Sequence, residues 1–100
     1  MSHPALALPV ERIAEVCRRY SVRELSLFGS ALRSDFSPES DVDLLVEFQP
    51  GASIGFLELL RMQGELADLL ERPVDLVSKR GLRPPIRDEV LQEREIIYAS

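Results

Sequence analysis

The chain has 100 residues and carries 12 basic and 17 acidic side chains, which gives a formal net charge of −5. Hydrophobic residues make up 45% of the sequence and charged residues 29%, which is typical of one globular domain and excludes a disordered or fibrous chain. The acidic balance argues against extended nucleic-acid binding, because phosphate backbones are held by an excess of basic side chains.

Cys17 is the only cysteine, so the chain cannot form an internal disulfide and nothing favours an oxidising compartment. Its place on the apolar side of the first predicted helix indicates a small core residue. No apolar run approaches the roughly 18 residues of a membrane span, and the first eight residues do not resemble a secretion signal. We therefore expect a cytoplasmic protein in which residues 1–8 form a flexible tail and residues 9–100 form a single domain.

Hydrophobic periodicity predicts helices and strands that alternate along the chain. The predicted elements are helix 9–20, strand 22–28, a turn with a short helical piece and a loop at 29–40, strand 41–48, helix 54–71, strand 73–77, helix 84–93 and strand 96–98. The long helix is expected to be weakened in its middle by Gln63 and Gly64. This order favours an α/β (α+β) fold in which a small sheet is covered by helices.

Two aspartates stand at the start of the predicted strand 41–48. Residues two apart on a strand point to the same face, with α-carbons about 6.5–7 Å apart, so Asp41 and Asp43 are expected to converge. Two carboxylates this close repel each other unless a cation neutralises them, and such oxygen ligands suit Mg²⁺. An Asp-x-Asp pair is common, and two solvated aspartates at a strand entrance are the alternative interpretation.

A glycine and a serine follow the first predicted strand directly. Gly29 allows the backbone to approach a ligand closely, and a turn that enters a helix exposes unpaired N–H groups. Together with the Ser30 hydroxyl, these groups could hold a phosphate. The alternative is a plain turn in which Ser30 caps a helix. Three residues later, Arg33 could meet phosphates or pair with Asp35.

Asp75 interrupts the β-rich run Pro-Val-Asp-Leu-Val at 73–77. Because an unpaired carboxylate is costly to bury, Asp75 must face water, a cation or a hydrogen-bond partner. A strand beside the 41–48 strand would bring Asp75 to the same site as the other two aspartates. The alternative is an edge-strand aspartate that faces water.

The other charged residues have ordinary interpretations. His3 lies in the predicted tail and is not expected to act as a ligand or a base. Lys79 and Arg80, with Arg83 and Arg87 nearby, are expected to form a solvated turn and helix start, although they could assist an acidic partner or a triphosphate.

Taken together, these residues resemble the minimal nucleotidyltransferases of the DNA polymerase β superfamily. The signature of that family is Gly-Ser, ten intervening residues and Asp-x-Asp, and residues 29–30 and 41–43 match it without a gap. The segments Leu-Leu-Val-Glu-Phe at 44–48 and Leu-Arg-Pro-Pro-Ile at 82–86 resemble the family as well. The sequence departs from it where Leu32 and Ser34 replace the alanine and glycine often found in the phosphate turn.

The resemblance covers residues 10–99 and implies the nucleotidyltransferase (polymerase β-like) fold, with a small mixed β-sheet covered by helices. It also implies ATP as the substrate and two Mg²⁺ ions as cofactors. The site residues that it implies are a catalytic and metal-binding set, Asp41, Asp43 and Asp75, and a nucleotide-phosphate-binding set, Gly29, Ser30 and Arg33.

Stand-alone members of this family resemble the antitoxins of bacterial two-gene modules, whose partner is an all-helical HEPN ribonuclease toxin. The resemblance therefore implies transfer of AMP from ATP to a tyrosine of a HEPN toxin. Two alternatives stay open: an antitoxin that acts by occlusion with weak or no catalysis, and a small-molecule transferase whose pocket is completed by a partner subunit.

Overall fold

A computed structural model describes residues 8–29 and 41–100 of the chain. The helices and strands in these ranges are α1 (Val10–Arg19), β1 (Val22–Phe28), β2 (Val42–Phe48), α2 (Phe56–Leu70), β3 (Val74–Ser78), α3 (Ile86–Glu93) and β4 (Glu95–Ala99), with a 3-10 turn at Lys79–Gly81. The helices and strands predicted in these ranges are confirmed, with ends that move by no more than two residues. Apart from Gly29, the turn predicted at 29–40 lies outside the described residues, as does most of the predicted tail.

The four strands form one mixed sheet in the order β3-β2-β1-β4. β1 runs antiparallel to both β2 and β4, whereas β2 and β3 are parallel. A parallel pair needs a crossover connection, and α2 provides it between β2 and β3. The mixed sheet with helices that the sequence predicts is therefore confirmed.

The hydrophobic core lies between one face of this sheet and the helices α1 and α2. Alternate residues of the strands supply one side of it, and residues at helical spacing supply the other. The fully buried members include Leu25, Leu27, Leu44, Val46, Ile13, Cys17, Met62 and Leu66. Leu8, the last residue of the predicted tail, packs partly against this cluster.

Cys17 is fully buried, as the sequence predicts for a small core residue. Burial disfavours the charged thiolate, which raises the pKa of the Cys17 thiol to about 12, against a smaller lowering effect of Arg18. A thiol with this pKa stays protonated and unreactive at neutral pH, so Cys17 serves packing.

α2 runs without interruption through the predicted weak point at Gln63 and Gly64. It buries one residue per turn or so along a single stripe, at Met62, Leu66 and Leu70. The Gln63 side chain also contacts the sheet, because its Oε1 accepts a hydrogen bond from the Leu76 N–H of β3 at 2.9 Å. The predicted weak point is thus a contact between helix and sheet.

A carboxylate on α2 joins the two helices of the core layer. Glu65 accepts hydrogen bonds from the Arg19 guanidinium and the Tyr20 hydroxyl at the end of α1. Both hydrogen bonds lower the pKa of Glu65 below its ordinary value, and the bond from Arg19 has the larger effect. The bond to Glu65 likewise raises the pKa of Tyr20.

α3 carries apolar side chains at 86, 90 and 91, but they do not form a buried face. No residue of α3 is buried within the described part of the chain, and Ile86 is 59% exposed. None of the described helices is both long enough and apolar enough to span a membrane.

Candidate active site

The second face of the sheet, opposite the core, carries the predicted catalytic carboxylates. Because strand residues alternate, Asp43, Leu45 and Glu47 of β2 lie on this face while Leu44 and Val46 point into the core. Leu45 and its β1 partner Ser26 are 2% and 1% exposed, so the middle of this face is covered. The acidic residues lie on either side of it.

The strand register places Asp75 directly beside Asp43. The two residues are partners in the parallel β2–β3 pair, which sets their α-carbons about 4.8 Å apart. Asp43 is partly buried and Asp75 is exposed. The expectation that the strand of Asp75 neighbours the strand of Asp43 is therefore confirmed. The alternative interpretation, an edge-strand aspartate that faces water, is also correct in part, because β3 is an edge strand and Asp75 is accessible to water.

Gly29 lies against the carboxylate of Asp43 from the other side. Its backbone has a φ of +66°, a left-handed conformation that favours glycine. A Cβ at this position would clash with Oδ2 of Asp43. The register of β1 and β2 explains this proximity, since Phe28 pairs with Asp43 and Gly29 follows it. The close backbone approach that the sequence suggests is thus made to the Asp43 carboxylate.

Asp41 is exposed and directly precedes β2. The start of the strand is fixed by a hydrogen bond of 2.9 Å from the Val42 N–H to the Pro73 carbonyl. Ser30 and Arg33, the other predicted phosphate-binding residues, lie outside the described residues. Of the six predicted site residues, the structure thus brings together Asp43, Asp75 and Gly29.

The donor set fits a hard divalent cation in its chemistry. Asp43 and Asp75 offer carboxylate oxygens from adjacent strands, and Asp41 is accessible two residues before Asp43. Paired carboxylates of this kind are the usual protein ligands of Mg²⁺. Among residues 8–29 and 41–100, no three His, Cys, Asp or Glu side chains are already gathered into a metal-binding group. The described arrangement is therefore a carboxylate pair with a third carboxylate nearby in sequence.

Two polar contacts near the site were not predicted from the sequence. Gln63 holds β3 from the side that β2 leaves open, one residue from Asp75. Further along the second face, Glu47 accepts a hydrogen bond from Lys79 at 3.2 Å. A polar residue in the middle of a helix with an apolar stripe was the available signal for Gln63. No signal in the sequence indicated the pairing of Glu47 with Lys79, which are 32 residues apart.

Comparison with known proteins identifies the family. Residues 10–97 match the model of the nucleotidyltransferase domain. The chain is 39% identical over 84 residues to the protein adenylyltransferase MntA of Thermococcus cleftensis, which covers 84% of this chain and 81% of MntA.

Two solved structures share the fold. A chain from the crystal structure of a toxin–antitoxin with AMP-PNP superposes with a TM-score of 0.75 at 21% identity, over 93% of this chain and 75% of that one. A chain from the complex of a tri-AMPylated Shewanella oneidensis HEPN toxin with its MNT antitoxin gives a TM-score of 0.67 at 19% identity, over 91% and 70%.

The matched domain spans both the signature at 29–43 and the strand that carries Asp75. The nucleotidyltransferase fold implied by the resemblance is confirmed by the superpositions. The chain belongs to the nucleotidyltransferase domain family, as a minimal nucleotidyltransferase related to MntA.

Proposed function

We propose that this protein is a Mg²⁺-dependent adenylyltransferase that transfers AMP from ATP to a tyrosine of a HEPN ribonuclease toxin and thereby acts as its antitoxin. The observation that carries the proposal is the row formed by Asp75, Asp43 and Gly29, which meet across β3, β2 and the end of β1. Asp43 and Gly29 belong to the family signature, and Asp75 is the third carboxylate that the resemblance implies. ATP as the substrate makes the cytoplasm the expected location.

In the proposed reaction, the tyrosine hydroxyl oxygen attacks the α-phosphorus of ATP. A new oxygen–phosphorus bond forms, the bond between the α-phosphorus and the α–β bridging oxygen breaks, and pyrophosphate leaves. The hydroxyl proton passes to a carboxylate, and Asp75 is the candidate because it is exposed beside Asp43. Such transfers depend chiefly on positioning and on neutralisation of charge.

Asp41, Asp43 and Asp75 would hold two Mg²⁺ ions. When bound, Mg²⁺ supplies the positive charge that lets a triphosphate lie beside carboxylates. Without a cation, the Asp43 and Asp75 carboxylates would repel both each other and the nucleotide. We assign the phosphates of ATP to Gly29, Ser30 and Arg33, the latter two on the strength of the family signature alone.

The proposed partner rests on the relatives. MntA is named a protein adenylyltransferase, and a structural neighbour is an MNT antitoxin in complex with an AMPylated HEPN toxin. One observation favours occlusion as a second candidate: Phe56 and Leu57 expose 73% and 67% of their surface at the start of α2. Exposed apolar residues of this size are typical of protein–protein contacts.

A protection assay separates the two functions. Cells would express the proposed HEPN toxin together with this chain, with Asp41→Asn, with Asp43→Asn or with the control Asp68→Asn, which changes an exposed aspartate on α2. We expect Asp41→Asn and Asp43→Asn to lose protection while both still co-purify with the HEPN protein. Full protection by these two variants would contradict catalysis and support occlusion.

A further inference from the structure

A cavity of about 620 Å³ lies at the far end of β2 from the aspartates. Its walls come from the end of β2, the loop that leads to α2, the 3-10 turn and α3. It is therefore bounded by two stretches that are distant in sequence, 47–54 and 79–91. Gly29, Asp41, Asp43 and Asp75, the predicted site residues that the structure describes, do not line it, so their proposed chemistry leaves this cavity unexplained.

The cavity wall is rich in basic residues although the protein is acidic. Lys79, Arg80 and Arg87 line it, and their acidic neighbours in the wall are Glu47 and Asp88. Lys79 pairs with Glu47 at 3.2 Å, and Arg87 lies 3.9 Å from Asp88 in a largely exposed pair. Within the described residues, no carboxylate pairs with the guanidinium of Arg80. A cation is thus available here in a chain whose net charge is −5.

An apolar rim adjoins these charges. Ile54 lines the cavity, and the exposed Phe56 follows two residues later, no more than about 7.6 Å away between α-carbons. Phe56, Leu57 and Leu60 are all exposed on the first turns of α2. This surface, Ile54 with Phe56, Leu57 and Leu60, is called the α2 rim below. Cavity and rim together offer a positive charge beside apolar anchors.

The cavity is close enough to the carboxylates to serve the same substrate. Glu47 in its wall shares the second face with Asp43 and lies four residues further along β2, which corresponds to about 13 Å. Because α1 and α2 cover the other face, an acceptor chain must reach Asp43 from the second face. A segment of that chain could therefore occupy the cavity while its hydroxyl lies at the carboxylates.

We propose that the cavity and the α2 rim dock an acidic segment of the acceptor protein that carries an apolar anchor residue. An acidic segment complements Arg80 and its basic neighbours, and the anchor covers Phe56 and Leu57. This assignment rests on the proposed function, since it names a contact of the protein that is modified. Binding here holds the acceptor near Asp43 and leaves ATP binding to the other end of β2.

The test compares two double variants that change the charge equally. The cavity variant carries Arg80→Glu and Arg87→Glu, which reverse the charge of two side chains in the cavity wall. The α1 variant carries Arg12→Glu and Arg18→Glu, which reverse the charge of two exposed arginines on α1. The probe is the proposed HEPN partner, and the readouts are its Kd by calorimetry, its KM as acceptor and the KM for ATP. Circular dichroism of each variant checks that the fold is retained.

We expect the cavity variant to raise the Kd and the KM for the HEPN protein at least tenfold over the α1 variant, with the KM for ATP unchanged. Equal values for the two variants would overturn the docking site and leave the proposed transfer intact. A rise in the KM for ATP alone would assign the arginines to the triphosphate and also overturn it. If the wild-type chain transfers no AMP but the cavity variant still loses affinity, the docking site stands and the transferase proposal fails.

The α2 rim has a test of its own. Phe56→Ser removes an exposed anchor at the rim, and Val10→Ser removes a similarly exposed apolar residue on α1, where no docking is proposed. We expect only Phe56→Ser to weaken binding of the HEPN protein. Sedimentation of the chain alone completes the test: a smaller assembly for Phe56→Ser than for Val10→Ser would show that a second copy covers the rim, which would overturn the proposal.

Discussion

Asp43 has three neighbours on its row of the sheet: Phe28 on β1, Asp75 on β3 and the backbone of Gly29. Each contact follows from strand register and from the left-handed backbone at Gly29. The carboxylate is therefore positioned by main-chain structure as well as by its own rotamer. The position of this carboxylate is therefore sensitive to the addition of a single methyl group at Gly29.

Gly29→Ala tests that sensitivity. A methyl group at this position meets Oδ2 of Asp43, and alanine is strained at a φ of +66°. The strain is expected to cost about 1 kcal/mol of stability, while displacement of the carboxylate should lower kcat at least tenfold. Thermal unfolding and AMP-transfer kinetics are the measurements. The control is Gly64→Ala, where a Cβ has open space.

Alanine at Gly64 is expected to preserve activity and to stabilise α2 slightly, because glycine is unfavourable inside a helix. A Gly29→Ala enzyme with wild-type kcat would show that the close approach of Gly29 to Asp43 is not needed for the reaction.

Among the elements, β3 is supported unequally on its two sides. It is an edge strand that pairs only with β2 in the described sheet, and Gln63 of α2 bonds to it from the opposite side at 2.9 Å. Since Leu76 follows Asp75 directly, this bond fixes the backbone beside the third carboxylate. A helix residue outside the site thus helps to set its geometry.

Gln63→Leu removes this acceptor at nearly constant volume. The Leu76 N–H then loses its partner, which should lower the free energy of unfolding by about 1–3 kcal/mol and reduce kcat through a less fixed Asp75. Gln63→Glu keeps an acceptor oxygen and should recover part of kcat. Gln92→Leu on the exposed side of α3 is the control. Equal stability and kcat for Gln63→Leu and wild type would contradict the role given to Gln63.

The contact between α1 and α2 predicts a pH dependence of stability. The folded state lowers the pKa of Glu65, chiefly through its hydrogen bond with Arg19, below the ordinary value of 4.5. The ionised carboxylate therefore stabilises the fold above pH 4.5, and this contribution is lost as the pH falls through the lower folded pKa. Its size is small, because the pair is largely exposed and screened by solvent.

Glu65→Gln should accordingly lower Tm at pH 7 by a few degrees at most. The difference from wild type should begin to shrink as the pH falls below about 4.5 and should vanish below the lower folded pKa of Glu65, where the wild-type carboxylate is neutral as well. Thermal unfolding of the wild-type and Glu65→Gln chains from pH 3 to 7 measures this difference in Tm. A difference that grows on acidification would contradict the pKa direction at Glu65.

The order and ends of the elements could be predicted because they depend on local periodicity. The proximity of Asp75 to Asp43 could be expected, since two apolar strands with a helix between them commonly pair in parallel. The bond from Gln63 to Leu76 and the Glu47–Lys79 pair could not, because they depend on how elements pack. The exposure of α3 could not be predicted either, because periodicity does not show which face of a helix is covered by the rest of the fold.

For the whole molecule, the two faces of the sheet have different tasks. α1 and α2 bury one face and provide the core. The other face carries Asp43 and Asp75 near one end and the cavity with Arg80 at the other. In the proposed reaction, the nucleotide and the protein acceptor therefore occupy separate regions along one strand.

The most direct test of the central claim is the intact mass of the proposed HEPN partner after incubation with ATP, Mg²⁺ and this chain. Wild type and the control Asp68→Asn should each add one or more AMP units to it, and Asp43→Asn should add none. An unchanged mass with the wild-type chain, under conditions where the two proteins form a stable complex, would contradict AMP transfer to this partner.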